Sequence, residues 1–195
     1  MLENSLTGEP PSCGVATRGR IGTTIRQMAH PSSRSNLDKS VSNYALFGAT
    51  AQIRYTEPLA TLDADVLVTL PDSGGLDILR GLYAFCEAGG YPVEGEAIRV
   101  GAWPVQFIPV FNALTAEALE QAETADFDGV PFRVVGAAHL AVIALSVGRG
   151  KDYARILALL ESGAVTREEI ATLASRHGLE EAWIRFKRRF LDVDG

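Results

Sequence analysis

Thr61-Leu62-Asp63-Ala64-Asp65-Val66-Leu67-Val68-Thr69-Leu70 decides how the rest of the chain is read. Valine, leucine and threonine crowd it as a strand requires, and Pro71-Asp72-Ser73-Gly74-Gly75 closes it, so a strand is predicted over 63–70. Side chains two apart on a strand share a face, which sends Asp63 and Asp65 out together. Two carboxylates that close repel, and a metal ion or a shared proton resolves the repulsion. Hard oxygen donors on a rigid strand suit Mg2+, which keeps waters and completes its shell with substrate phosphates. The pair also reads as two solvated acids at a strand start. What flanks it decides between the two readings.

Upstream, the apolar run Tyr44-Ala45-Leu46-Phe47 ends at Gly48 and gives way to a helix-like stretch from Ala49 to Tyr55. That predicts a strand, a glycine turn and a short helix. A glycine there lets backbone approach a phosphate closely. Downstream, apolar spacing predicts a helix over 76–88 that stops at Gly89-Gly90, then a hairpin from 97–100 and 104–110 about Gly101. Thr115 is read as opening a helix with Glu117 and Glu120 near its start, and Asp128-Gly129 as a turn between two short strands. The remainder is helical: 137–145, 151–162 stopped by Gly163, a third begun by the capping box Thr166-Arg167-Glu168-Glu169, and 180–191 with Trp183, Phe186 and Phe190 on one face. The fold class expected is α+β, a mixed sheet flanked by helices with a C-terminal helical segment. Three parts are expected: a flexible arm over 1–38, an α/β core over 39–136, and a helical part over 137–195.

The 195 residues are 47% hydrophobic and 22% charged, enough to bury a real core without disulfides or a structural metal. A net charge of -6 argues against wholesale wrapping of nucleic acid and leaves room for a local basic groove. Cys13 and Cys86 form no CxxC pair, so a reducing compartment is the natural setting. No apolar run reaches the roughly 20 residues of a membrane span, and no secretory h-region follows the N-terminus, so a cytoplasmic protein is expected. His30, His139 and His177 lack metal-ligand spacing, and His139 reads as a satisfied core residue. Arg185, Lys187, Arg188 and Arg189 read either as an RNA-backbone contact or as cations favourably placed near a helix C-terminus.

Residues 44–70, with a glycine turn at Phe47-Gly48-Ala49 followed by Thr61-Leu62-Asp63-Ala64-Asp65, resemble the nucleotidyltransferase (DNA polymerase β-like) superfamily, whose members pair such a turn with T-x-D-x-D. Gly148-Arg149-Gly150-Lys151-Asp152-Tyr153-Ala154-Arg155 is similar to the R-x-K-D-x-x-R stretch of bacterial nucleotidyltransferase-like proteins, some related to abortive-infection toxins and hence to toxin–antitoxin pairs. The resemblance implies an NTP substrate, Mg2+ held by Asp63 and Asp65, and Gly48 beside the triphosphate. It implies Lys151 as a cationic contact, with Thr50 and Arg155 as further nucleotide-binding candidates. RNA, a protein or a small molecule would be the hydroxyl acceptor.

One position departs from the family. A third carboxylate is expected on a later strand, and the matching strand, Pro104-Val105-Gln106-Phe107-Ile108, offers Gln106. An amide cannot serve as a base and holds a cation weakly. Asp72 and Glu96 are acids nearby in sequence. Two readings follow: an Mg2+-dependent nucleotidyltransferase, or a catalytically degenerate module of the same fold that binds a nucleotide or a partner protein.

Overall fold

The computed structural model describes residues 43–57, 63–70, 79–101, 103–127 and 130–192. The arm expected over 1–38, Asp72 and the Asp128-Gly129 turn lie outside the described residues.

Seven strands form one mixed sheet: β1 (Asn43–Phe47), β2 (Ala64–Thr69), β3 (Val93–Glu94), β4 (Ala97–Val100), β5 (Trp103–Pro109), β6 (Glu123–Phe127) and β7 (Val130–Val134). Their order is β3-β4-β5-β2-β1-β7-β6. The β2–β5 and β1–β7 pairs are parallel and the rest antiparallel. The strand that carries the acids is therefore central, with β1 on one side and β5 on the other. Val66, Leu67 and Val68 are all buried, as expected of a strand covered on both faces. Each such side chain contributes roughly 1.5–3 kcal/mol on burial, so Asp65 on β2, and Asp63 just before the strand, are carried on a rigid support.

Among the described residues there are seven helices: α1 (Gly48–Gln52), α2 (Arg80–Ala88), α3 (Ala113–Glu120), α4 (Ala137–Val147), α5 (Gly150–Glu161), α6 (Arg167–Arg176) and α7 (Glu180–Phe190). Leu140 through Leu145 of α4 are all buried, the mark of a helix apolar all round that lies inside the fold. It packs against α5 and α6 and also meets α1, α3 and α7, so the C-terminal helices and the sheet share one core. Behind α5, Tyr153 packs its ring against Phe186 and Phe190 of α7, and Trp183 stacks on Phe186.

Two details differ from the sequence reading. Asn112, not Thr115, caps α3: the Thr115 N–H donates to Asn112 Oδ1 at 2.8 Å, and the Asn112 N–H donates to Thr115 Oγ1 at 3.2 Å. The helix opens three residues earlier because asparagine is as strong a cap as threonine, and Thr115 completes its box. His139 is buried as expected, yet its Nε2 has no hydrogen-bond partner among the described residues. It stands 3.6 Å from the Glu117 carboxylate, which Arg176 and His177 take up instead, His177 Nε2 at 2.7 Å. Burial, partly offset by Glu117, holds the His139 pKa below the usual histidine value and favours the neutral ring. The Thr166–Glu169 capping box forms as read, with the Thr166 N–H donating to Glu169 Oε2 at 2.7 Å.

Candidate functional site

The turn between β1 and α1 brings backbone directly against an acid. Phe47 pairs with Asp65 across β1 and β2, and the next residue, Gly48, has φ +62°. A Cβ at that position would lie 2.1 Å from Asp65 Oδ2, an impossible contact. Glycine is thus required twice, for its left-handed backbone and for the space the carboxylate fills. Thr50, one turn into the structure, is buried, and its hydroxyl donates to the Asp63 carbonyl at 3.1 Å. Its hydroxyl therefore anchors the start of the acid-bearing segment and does not line the cleft.

That cleft, about 320 Å3, lies where β1, β2, β5, α4 and α5 converge. Gly48, Asp63, Asp65, Gln106, Lys151 and Arg155 line it together with Gln52, Arg149 and Asp152. Phe47, Ile108, Leu140, Ile143, Ala144 and Val147 supply an apolar wall. Segments distant in sequence meet here. Burial first, and then the negative charge of Asp63, push the Asp65 pKa up to about 6, against the opposing pull of Arg155 and Lys151. The two acids and the two cations thus feel one another electrostatically, as the shared cleft requires.

The cations are organised by a buried acid. Asp152, 1% exposed, accepts from Arg149 Nε at 2.7 Å and from the Arg149 N–H at 3.2 Å, and Arg155 reaches it at 3.5 Å. Burial pushes its carboxyl up, but the Arg149 side-chain and backbone bonds, with the charges of Arg149 and Arg155, hold it below the usual carboxylate range. Asp152 is engaged by the two arginines rather than by its neighbour Lys151, which is exposed at the cleft. Gln52, buried in α1, donates to the Arg155 carbonyl at 3.2 Å and ties the glycine turn to the cationic helix.

Gln106 stands in direct register with Asp65 on the parallel neighbour β5. The position read from sequence as that of a third acid is thus next to the pair, and it holds an amide that donates to Glu96 Oε2 at 3.4 Å. Among the described residues no group of three or more His, Cys, Asp or Glu could hold a metal ion. Two carboxylates, one of them raised by burial and by the charge of the other, nevertheless fit a hard divalent cation, provided substrate oxygens and water complete its shell. From sequence, Arg149 and Asp152 appear only as members of the R-x-K-D-x-x-R stretch with no site role of their own, and Gln52 carries no role at all. A polar residue one turn after Gly48 and an acid between two arginines were the available signals.

No protein-family model matches the sequence, and no curated protein matches it. Solved structures do. The antibiotic-resistance factor ANT(2'')-Ia superposes with a TM-score of 0.52 at 15% identity, over 90% of this chain and 98% of that one. A nucleotidyltransferase-like protein from Paracoccidioides brasiliensis gives a TM-score of 0.48 at 12% identity, over 86% of this chain and 91% of that one. The chain has an α+β, nucleotidyltransferase-like fold. No helix among the described residues is long and apolar enough to cross a membrane.

Proposed function

We propose that the protein is a nucleotidyltransferase that moves a nucleoside monophosphate from an NTP to a hydroxyl acceptor, with Mg2+ held by Asp63 and Asp65. One observation supports this most: an acid pair, a glycine turn pressed against it and two cations from a distant helix line the same cleft. The magnesium ion, when bound, would neutralise charge on the phosphates and polarise the phosphoryl group under attack. Asp63 and Asp65 hold the cation. Gly48 leaves room for phosphate beside Asp65. Lys151, an exposed point charge, contacts the polyphosphate, and Arg155, set by Asp152 and Gln52, adds a second positive group from the same helix. The apolar wall of α4 seats the base and sugar, excluding water from one side of the reacting centre. Thr50 acts indirectly, by fixing the Asp63 backbone.

The test is nucleotide binding followed by calorimetry with and without Mg2+, in the wild type and in an Asp63→Ala/Asp65→Ala double variant. Metal-dependent binding by the wild type, weakened on the order of a hundredfold, about 2.7 kcal/mol, in the variant is expected. Binding that ignores both the metal and the substitutions would sink the proposal. A second reading, a module of the same fold that binds nucleotide without turnover, is favoured by one observation, the amide of Gln106 beside Asp65. Nucleotide binding with no transfer of label to RNA, protein or small-molecule acceptors selects it.

A further inference from the structure

A second cleft, about 680 Å3, opens between α2, the β3–β4 turn and β5, lined by Tyr83, Glu87, Glu96, Gln106 and Ile108 among others. Gln106 and Ile108 line the nucleotide cleft as well. Alternate residues of β5 share a face, so the two clefts meet over that face. Glu96 lines the second cleft and touches Gln106, which lines both. It occupies the tip of a two-residue hairpin between Glu94 and Ala97, where Gly95 takes φ +63°. The tip is held in place: Tyr83 Oη donates to the Glu96 carbonyl at 3.0 Å, and Arg99 pairs with Glu94 across the hairpin. From there the carboxylate reaches over to Gln106, whose Nε2 donates to Oε2 at 3.4 Å, and Gln106 is in register with Asp65.

Gln106, an amide beside Asp65, cannot accept a proton from an acceptor hydroxyl, and a carboxylate lies one hydrogen bond beyond it. We propose that Glu96 is the general base of the reaction and that the acceptor hydroxyl enters through the second cleft. The inference rests on the nucleotidyltransferase reading. The acceptor O–H bond breaks and its proton passes to the Glu96 carboxylate. The freed oxygen forms the bond to the α-phosphorus. The bond from that phosphorus to the bridging oxygen breaks, and pyrophosphate leaves with the electron pair. Glu96 then returns its proton to water. A glutamate is long enough to serve from the neighbouring hairpin, and an exposed position leaves it free to approach the acceptor.

The test uses the full chain, Mg2+ and labelled ATP with a panel of acceptors: total RNA, the protein's own hydroxyls, glycerol and an aminoglycoside. Glu96→Ala should lower kcat by about a hundredfold or more while Kd for ATP, measured separately by calorimetry, stays within about twofold. Formate should restore part of the rate to Glu96→Ala, where space is left for it, but not to Glu96→Gln. Gln106→Asp in the Glu96→Ala background should also restore turnover by putting an acid beside Asp65. A Glu96→Ala enzyme that keeps kcat within about threefold, or loses ATP affinity as much as rate, overturns the role of Glu96 alone. Wild-type protein that binds Mg2+ and ATP yet labels no acceptor overturns that role together with the transfer reading. Failure to bind ATP overturns the nucleotide site itself.

Discussion

β2 and the start of α5 face each other across one cleft and are built on opposite principles. Asp65 sits near the start of a central strand with Asp63 just before it, and burial and then the charge of Asp63 raise it to about 6, so the protein holds this carboxylate at a cost. The cations of α5 are the reverse. A buried acid, Asp152, binds Arg149 and Arg155 and is itself held below the usual range by them, so their arrangement is satisfied before any ligand arrives. The contrast separates two uses of charge. The acid side stores repulsion that a divalent cation, under the proposed function, would relieve, and the cation side fixes geometry in advance.

Three substitutions sharpen or break this contrast. Asp152→Ala removes a charge with several hydrogen bonds from a site 1% exposed and should cost about 2–3 kcal/mol in urea denaturation. It should also weaken nucleotide binding, since Arg149 and Arg155 lose their common partner. A loss below about 0.5 kcal/mol, the range of an ordinary surface change, would show that the cation side is not pre-arranged. Lys151→Ala should leave stability unchanged and weaken NTP binding about tenfold, roughly 1.4 kcal/mol, because that lysine is exposed. An unaltered Kd would remove it from the site.

The smallest effect concerns pH. Asp65 has a folded pKa of about 6 against an ordinary 3.8, so between those values the folded chain keeps a proton that the unfolded chain has released. Stability contributed by this group is therefore present below about pH 4 and falls as pH rises through about 6. Asp65→Asn, which never ionises, should melt above the wild type at about pH 8 and level with it at about pH 4. Mg2+ should raise the wild-type Tm alone and narrow the gap. Equal melting at both pH values would mean that the acid pair carries no stored repulsion.

How far these features could be read in advance follows from the range of the interactions. Gly48, Asp63 and Asp65 belong to one short stretch, and period-two alternation with a glycine turn marks them in sequence. Gln106 was identifiable because β4 and β5 form a local hairpin that fixes where β5 lies. The Arg149–Arg155 segment was visible as a pattern. The role of Asp152 was not, since an acid beside a lysine looks solvated until burial is known. Thr50, a nucleotide-binding candidate by sequence, turns its hydroxyl inward, because a hydroxyl in a buried helix finds the nearest carbonyl, that of Asp63. The gathering of Arg176 and His177 around Glu117 has no local signature, since it joins residues 59 and 60 positions apart.

The hydrogen bond from Gln52 to the Arg155 carbonyl closes a separation of 103 residues, and that length has a consequence in time. A ribosome adding about 5–20 residues per second completes the segment from Gln52 to Arg155 in roughly 5–20 s. Through that interval the nascent chain displays Asp63 and Asp65 without the helix that opposes their charge. The acid strand is made early, and its counterweight arrives only with the last third of the chain.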